Sequence, residues 1–276
     1  KNAWVKCKKG KYLEEWSFPK INLIPLEDYN TIYLKENTLS PIKNVKEITL
    51  TISRGCPVNC KFCDVPISQG LCDRRVKIKK VLSYLLYIQK TNMFDYVNFS
   101  SPFFSFDRSY CIDLCESIIR HKLSIKWKCV TKPDYLDKDL IYLMSKAGCK
   151  RIGIGVESLS LSVLKMLNKP ILTESILDSI KYCQLYNIKL NCFIMLGIEG
   201  QKRKDIIDTI SFLIKQGCSV RPTIYTPIYN MDAAKSSCEL DEIDRRYVHY
   251  KVEKMSNEEI FDIAYNFDNW VKLNIR

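Results

Sequence analysis

Histidine is almost missing from this chain: His121 and His249 are the only two in 276 residues. Both stand far in sequence from the one tight cluster of cysteines, so neither is placed to complete a metal site there. Long apolar runs are missing as well. None approaches the roughly 18 uninterrupted residues of a membrane helix, which argues against a membrane-spanning protein. No secretory h-region stands near the start. The chain begins at Lys1 and not at Met, so it reads as a fragment or a trimmed chain. Low-complexity tracts do not occur, and a hydrophobic content of 46% allows a sizeable core instead of a disordered ensemble. A length of 276 residues fits one domain of α/β-barrel size or two smaller ones.

What is abundant is cysteine and positive charge. Thirteen cysteines would suit a disulfide framework in a short secreted chain, but this chain is long and the count is odd. Cys111, Cys115, Cys129, Cys149, Cys183 and Cys192 lie in apolar periodic segments. They are expected as small core residues in a reducing, cytoplasmic setting. The net charge of +12 comes from 43 basic and 31 acidic residues. It would favour a nucleic-acid partner if one face collected it. Most of these cations, among them Lys77, Lys79, Lys80 and Lys181, are instead scattered through helical segments as a solvated surface, so nucleic acid is not the favoured partner.

Prolines and mixed polarity make residues 1–45 an extended lead-in. From there the pattern becomes repetitive. Residues 48–52 alternate and are β-branched, the mark of a strand. Helical spacing follows over 76–89, a strand over 96–99, and a helix capped by Asp107 as far as Lys122. A strand over 125–130 precedes a helix that Asp137 caps and Gly148 stops. Strands at 151–156, 188–196 and 220–225 alternate with helices at 160–167, 173–186 and 204–216. Residues 256–272 form a capped amphipathic helix expected to close the barrel. The alternation implies parallel βαβ units with right-handed crossovers. The fold class is therefore α/β. Six units, over 46–226, are fewer than the eight of a closed TIM barrel. They stand between the lead-in and a C-terminal helical extension, 227–276, and the resemblance named below implies that they form an open six-unit (β/α) partial barrel.

The stretch around which the chain is organised is Cys56-Pro57-Val58-Asn59-Cys60-Lys61-Phe62-Cys63, directly after the first strand. In barrels of this kind the reactive groups sit at the C-terminal ends of strands. Three thiolates from one loop are soft ligands for zinc or an iron–sulfur cluster. A structural zinc wants four ligands, and no fourth stands at a comparable spacing, although Cys72 is near enough in sequence to serve. Three free cysteines are the remaining reading.

This stretch resembles the C-x3-C-x-aromatic-C signature of the radical S-adenosylmethionine (SAM) superfamily, with Phe62 in the aromatic slot. The resemblance covers about residues 48–226 and implies the open barrel of that superfamily's core. It also implies a 4Fe–4S cluster held by Cys56, Cys60 and Cys63, whose open iron binds SAM. Reductive cleavage of SAM then yields a 5′-deoxyadenosyl radical, in an oxygen-sensitive enzyme fed by flavodoxin or ferredoxin. By the same resemblance, Ser100 and Ser101 replace a Gly-Gly-Glu that receives the SAM amino group. Glu157, in Gly153-Ile154-Gly155-Val156-Glu157-Ser158, faces the ribose or an ammonium. Lys169 takes a basic position, more often arginine, that meets the methionine carboxylate. Gly197, in Gly197-Ile198-Glu199-Gly200, lets backbone approach the adenine, and Phe62 packs beside it. At the third strand Lys128 and Thr131 lie on opposite faces, with the cavity side undetermined.

No catalytic residue beyond these is marked. Tyr225 and Tyr229 are candidate substrate contacts or edge-of-core aromatics, and Cys238 a lone thiol in a polar stretch. The favoured substrate is a small polar metabolite. Asp232, Glu239, Asp241, Glu242 and Asp244 would repel phosphates, while Arg245, Arg246 and Tyr247 leave room for a phosphate or carboxylate. Two rivals remain open. One is a tRNA- or protein-modifying enzyme, either like methylthiotransferases, which Asp64-Val65-Pro66 and Arg74-Arg75 resemble, or like cobalamin-type methyltransferases. The other is a zinc-stabilised nucleic-acid-binding module.

Overall fold

The structure is a computed structural model that describes residues 13, 16–23, 46–58, 60–169, 172–226, 248 and 250–275. Tyr229, Cys238, His249 and the charged residues from Asp232 to Tyr247 lie outside the described residues, as does Asn59 within the cysteine stretch.

Eight strands and nine helices occur among the described residues. The strands are β1 (Glu47–Thr51), β2 (Ser53–Arg54), β3 (Arg74–Arg75), β4 (Tyr96–Ser100), β5 (Lys126–Thr131), β6 (Cys149–Glu157), β7 (Lys189–Leu196) and β8 (Ser219–Ile224). The helices are α1 (Val65–Ser68), α2 (Ile78–Thr91), α3 (Arg108–Arg120), α4 (Lys138–Lys146), α5 (Leu161–Met166), α6 (Thr173–Leu185), α7 (Arg203–Lys215), α8 (Asn257–Tyr265) and α9 (Phe267–Asn274). One sheet runs β1-β4-β5-β6-β7-β8, every pairing parallel. It stays open between β1 and β8, so the fold is the six-unit partial barrel expected. A second, two-stranded sheet pairs β2 with β3 antiparallel.

Helix starts follow their caps. Asp107 accepts from Tyr110 N–H at 3.0 Å and Asp137 from Leu140 N–H at 2.9 Å. Ser256 does the same for Glu259 N–H at 3.2 Å. The single C-terminal helix expected over 256–272 is two, because Asn266 leaves helical geometry and starts α9. Gly148, at φ +94°, stops α4, and a Cβ there would stand 2.3 Å from the Ile125 carbonyl oxygen. The lead-in is not wholly irregular. Ile21–Leu23 is a 3-10 turn, Ile21 is fully buried, and Trp16 lies under the Arg54 guanidinium at 4.0 Å.

Alternation divides each sheet strand between two faces. Ile48, Leu50, Val97, Phe99, Trp127, Cys129, Ile152, Ile154, Cys192 and Ile194 are buried on the helix-covered face, along with the other cysteines expected in the core. Trp127 donates its indole N–H to Ala147 O at 2.7 Å. The opposite, concave face is the lumen. Thr49, Asn98 and Lys128 share it, since Asn98 donates to Thr49 at 3.3 Å and Lys128 reaches Glu47 at 2.8 Å across the intervening strand. Lys128 therefore faces the cavity. Thr131 faces the helices, where its hydroxyl accepts from Ser105 N–H at 3.1 Å.

Candidate functional site at the mouth of the barrel

The cysteine loop leaves the C-terminal end of β1 through β2, and β3 brings the chain back beside it. Gly55 turns the chain into the loop at φ +84°, and a Cβ there would lie 2.0 Å from the Cys72 carbonyl oxygen. That backbone contact admits only glycine. Cys56 N–H donates to Gly70 O at 3.1 Å, and Lys61 N–H to Leu167 O at 3.2 Å. The loop base is fastened by Arg75, which pairs with Asp73 at 2.6 Å and donates to the carbonyls of Phe104 and Phe103 at 2.9 and 3.1 Å.

Cys56 is buried, Cys60 and Cys63 are half-buried, and Cys72 is exposed. Burial pushes the Cys60 thiol up, and the Lys169 and Lys132 ammonium groups draw it back down. Burial likewise raises Cys63, with Cys60 and Cys56 among the charges near enough to act on it. Among the described residues, no three His, Cys, Asp or Glu side chains stand close enough together to hold a single metal ion.

Opposite this loop, β6 ends in a register shift between Gly155 and Glu157, and Glu157 takes φ +61°. This left-handed conformation is costly for a residue with a Cβ. Here it carries the carboxylate to Lys169, whose Nζ lies 2.5 Å from Glu157 Oε1, both side chains being buried. The pair lies over Gly155 on the lumen face: a Cβ on Gly155 would stand 2.4 Å from Lys169 Nζ and 2.5 Å from Glu157 Oε1. Phe62 completes the group, its ring 5.3 Å from Lys169 Nζ, a cation–π distance. Phe62 also packs with Met195 and Tyr225 against the apolar cluster of Val163, Leu167 and Ile198.

Gly197 lies in the turn after β7 at φ +76°, and Gly200 follows at φ +68°. The turn is tied by the fully buried Gln201, whose Oε1 accepts from Gly197 and Ile198 N–H at 2.9 and 3.2 Å. Its Nε2 donates to Met195 O at 3.0 Å. A Gln201→Leu variant is expected to lose about 2–4 kcal/mol, since three hydrogen bonds go and their backbone partners stay buried. Urea denaturation checks this, and a loss under about 0.5 kcal/mol would show that the turn holds without the side chain.

Ser100 and Ser101 end β4 on the same rim. The Ser100 carbonyl accepts from Ile52 N–H at 3.0 Å, and the Ser101 hydroxyl meets that of Ser53 at 2.5 Å. The structure thus gathers Phe62, Glu157 and Lys169 beside Cys60. Gly197 sits in the neighbouring turn, and the two serines are engaged with the β1–β2 strand end.

Residues 50–213, more than half of the chain, match the radical SAM superfamily. The chain belongs to that superfamily. An uncharacterized methyltransferase of Pyrococcus horikoshii is 22% identical over 203 residues, covering 74% of this chain and 42% of the relative. The bacteriochlorophyllide d C-12(1)-methyltransferase of Chlorobaculum tepidum is 24% identical over 240 residues, covering 82% and 50%. This chain therefore spans half or less of these relatives' lengths. Among solved structures, the radical SAM methyltransferase TsrM of Kitasatospora setae, with cobalamin and a [4Fe-4S] cluster bound, superposes with a TM-score of 0.61. It is 12% identical and covers 66% of this chain and 37% of its own, a likeness of fold.

Radical SAM enzymes use a 4Fe–4S cluster and SAM. The donor set fits that cluster. A zinc site draws its ligands around one ion, whereas a four-iron cluster gives each cysteine its own iron. Three thiols of one loop, one buried and two half-buried, supply the soft ligands such a cluster takes. The zinc-module reading is overturned by the barrel and the family match.

Sequence reasoning passed over Gly155, Gln201 and Lys132. Gly155 was open to detection, because it falls on the lumen side of β6 two residues before Glu157. Gln201 carried no signal, since its bonds run to its own turn. Lys132 is recognised only once β5 is laid beside the cysteine loop.

Proposed function

We propose that Cys56, Cys60 and Cys63 hold the cluster and that the chain abstracts hydrogen from a small polar metabolite held in the lumen. The observation that carries this reading is the meeting of the cysteine loop with the buried Glu157–Lys169 pair at the mouth of a polar, concave face. When bound, the cluster and SAM supply the 5′-deoxyadenosyl radical. The chain's own residues bind and orient. Lys169 keeps two further N–H donors for a carboxylate, and Glu157 a second oxygen for a hydroxyl or ammonium. Phe62 and the apolar cluster beside it keep water from the mouth. A low-potential donor such as flavodoxin or ferredoxin feeds the reaction.

Methyl transfer is the second reading for the outcome, favoured by the named activities of the relatives. An RNA substrate is less favoured. Arg75, one of the residues that resembled methylthiotransferases, spends its guanidinium on Asp73 and two buried-side carbonyls. Anaerobic reconstitution followed by SAM and dithionite is expected to yield 5′-deoxyadenosine, read by chromatography and mass spectrometry. A reconstituted, cluster-loaded protein that leaves SAM uncleaved would overturn the proposal. Tight binding of bulk tRNA that falls steeply with salt, by counterion release, would replace the small metabolite with RNA.

A further inference from the structure

The lumen-facing positions of the six strands are unevenly charged. They carry Lys126 and Lys128 on β5, Arg151 on β6, Lys189 on β7 and Arg221 on β8. Below the Glu157–Lys169 pair the one carboxylate on those positions is Glu47, on β1, which pairs with Lys128. Three of the cations form a row. Lys128 is the register partner of Arg151, and Arg151 of Lys189, so they stand side by side across three adjacent strands. Neighbouring strands lie only about 4.8 Å apart, and like charges at that spacing repel. Packing does not require the arrangement: the helix-covered face of the same strands is apolar at its buried positions apart from Thr131. Arg151 is half-buried, and burial draws its pKa down.

Between this row and the mouth the lumen changes character. Gly153 leaves room for its neighbours: a Cβ there would stand 2.7 Å from the Phe193 ring and 3.2 Å from the Val130 side chain. Arg221 is the register partner of Phe193, and Phe193 of Gly155, which puts Arg221 level with the Glu157–Lys169 pair. From mouth to floor, the cavity offers a polar rim, an aromatic and aliphatic middle, and a cationic base. Arg151 and Gly155 are four residues apart on one strand, about 13 Å at 3.3 Å per residue, less the reach of the arginine and lysine side chains.

We infer that the lumen binds a metabolite bearing a carboxylate or phosphate, anchored by Lys128, Arg151 and Lys189, with its reacting carbon held past Phe193 near the mouth. Guanidinium and ammonium groups in a recess hold such anions by charge-assisted hydrogen bonds. The inference deepens the small-metabolite reading above and rests on it.

Calorimetric titration of the anaerobically reconstituted protein with pyrophosphate, succinate and glycerol, at constant ionic strength, tests it without calling on turnover. Saturable binding of one or both anions, and none of glycerol, is expected. Binding of pyrophosphate alone marks a phosphate ligand, and of succinate alone a carboxylate. Affinity is expected to fall about tenfold in Arg151→Gln and in Lys128→Gln, the size of one charge-assisted contact. Lys189→Gln, at an exposed position of the same row, serves as a third variant should the half-buried Arg151 be needed for folding. Lys181→Gln, on the exposed face of α6, should bind as the wild type does. The inference is overturned if neither anion saturates, if the lumen variants bind normally, or if Lys181→Gln weakens binding equally. Anion binding by wild-type protein that never cleaves SAM would leave the basic row standing and remove the radical reading beneath it.

Discussion

Replacing Cys60 with alanine is expected to abolish both cluster assembly and SAM cleavage. Two thiolates from one loop do not supply the three protein ligands the site requires, and Cys72 lies exposed at the surface. The expected readouts are loss of the absorbance near 400 nm after reconstitution and 5′-deoxyadenosine at background. Cys56→Ala and Cys63→Ala should match it. Cys111→Ala and Cys183→Ala remove buried core thiols instead and should cost stability alone, leaving the cluster in place. A Cys60→Ala protein that forms 5′-deoxyadenosine at the normal rate would refute the assignment of this loop.

The second large effect lies in the Glu157–Lys169 pair. Because both side chains are buried, Lys169→Ala should strand a carboxylate without its partner and destabilise the fold by about 3–5 kcal/mol. Glu157→Leu with Lys169→Met removes both charges at similar volume and should recover most of that loss. SAM affinity should not recover, since the charge-assisted contacts are gone in the double variant too; a fall of ten- to a hundredfold is expected. Denaturation curves and SAM titrations on the two single variants and the double variant separate the effects. Losses that simply add would show that the two charges do not depend on each other, and unchanged SAM binding would remove both from the cofactor site.

The order of units was legible because local signals agreed with one another. Asp107, Asp137 and Ser256 announce helix starts and do cap them. Alternation from Ile48 to Leu50 and from Val97 to Phe99 marks strands whose buried side chains sit where period two places them. Less legible were features set by pairing across long separations. The β2–β3 hairpin joins Ser53 to Arg75 through residues too few and too polar to show a period. The side on which Lys128 lies depends on Glu47, two strands away. At the site, the sequence assigns Glu157 and Lys169 each to a ligand, and the structure also gives each to the other. Twelve residues of sequence separation and a left-handed backbone at Glu157 hid that partnership.

Tyr225, just past β8, stacks on Tyr250 with ring centroids 5.9 Å apart. Immediately beyond, Glu253 exchanges backbone hydrogen bonds with Gln201 and Arg203, and Glu259 holds the Arg203 guanidinium at 2.8 Å. Residues some fifty positions apart in the chain thus meet at one point of the rim. A change made in α8 is carried through Arg203 and Glu253 to the Gln201 turn that ends β7. The C-terminal helices are in this sense a handle on the candidate site, able to alter it without touching it.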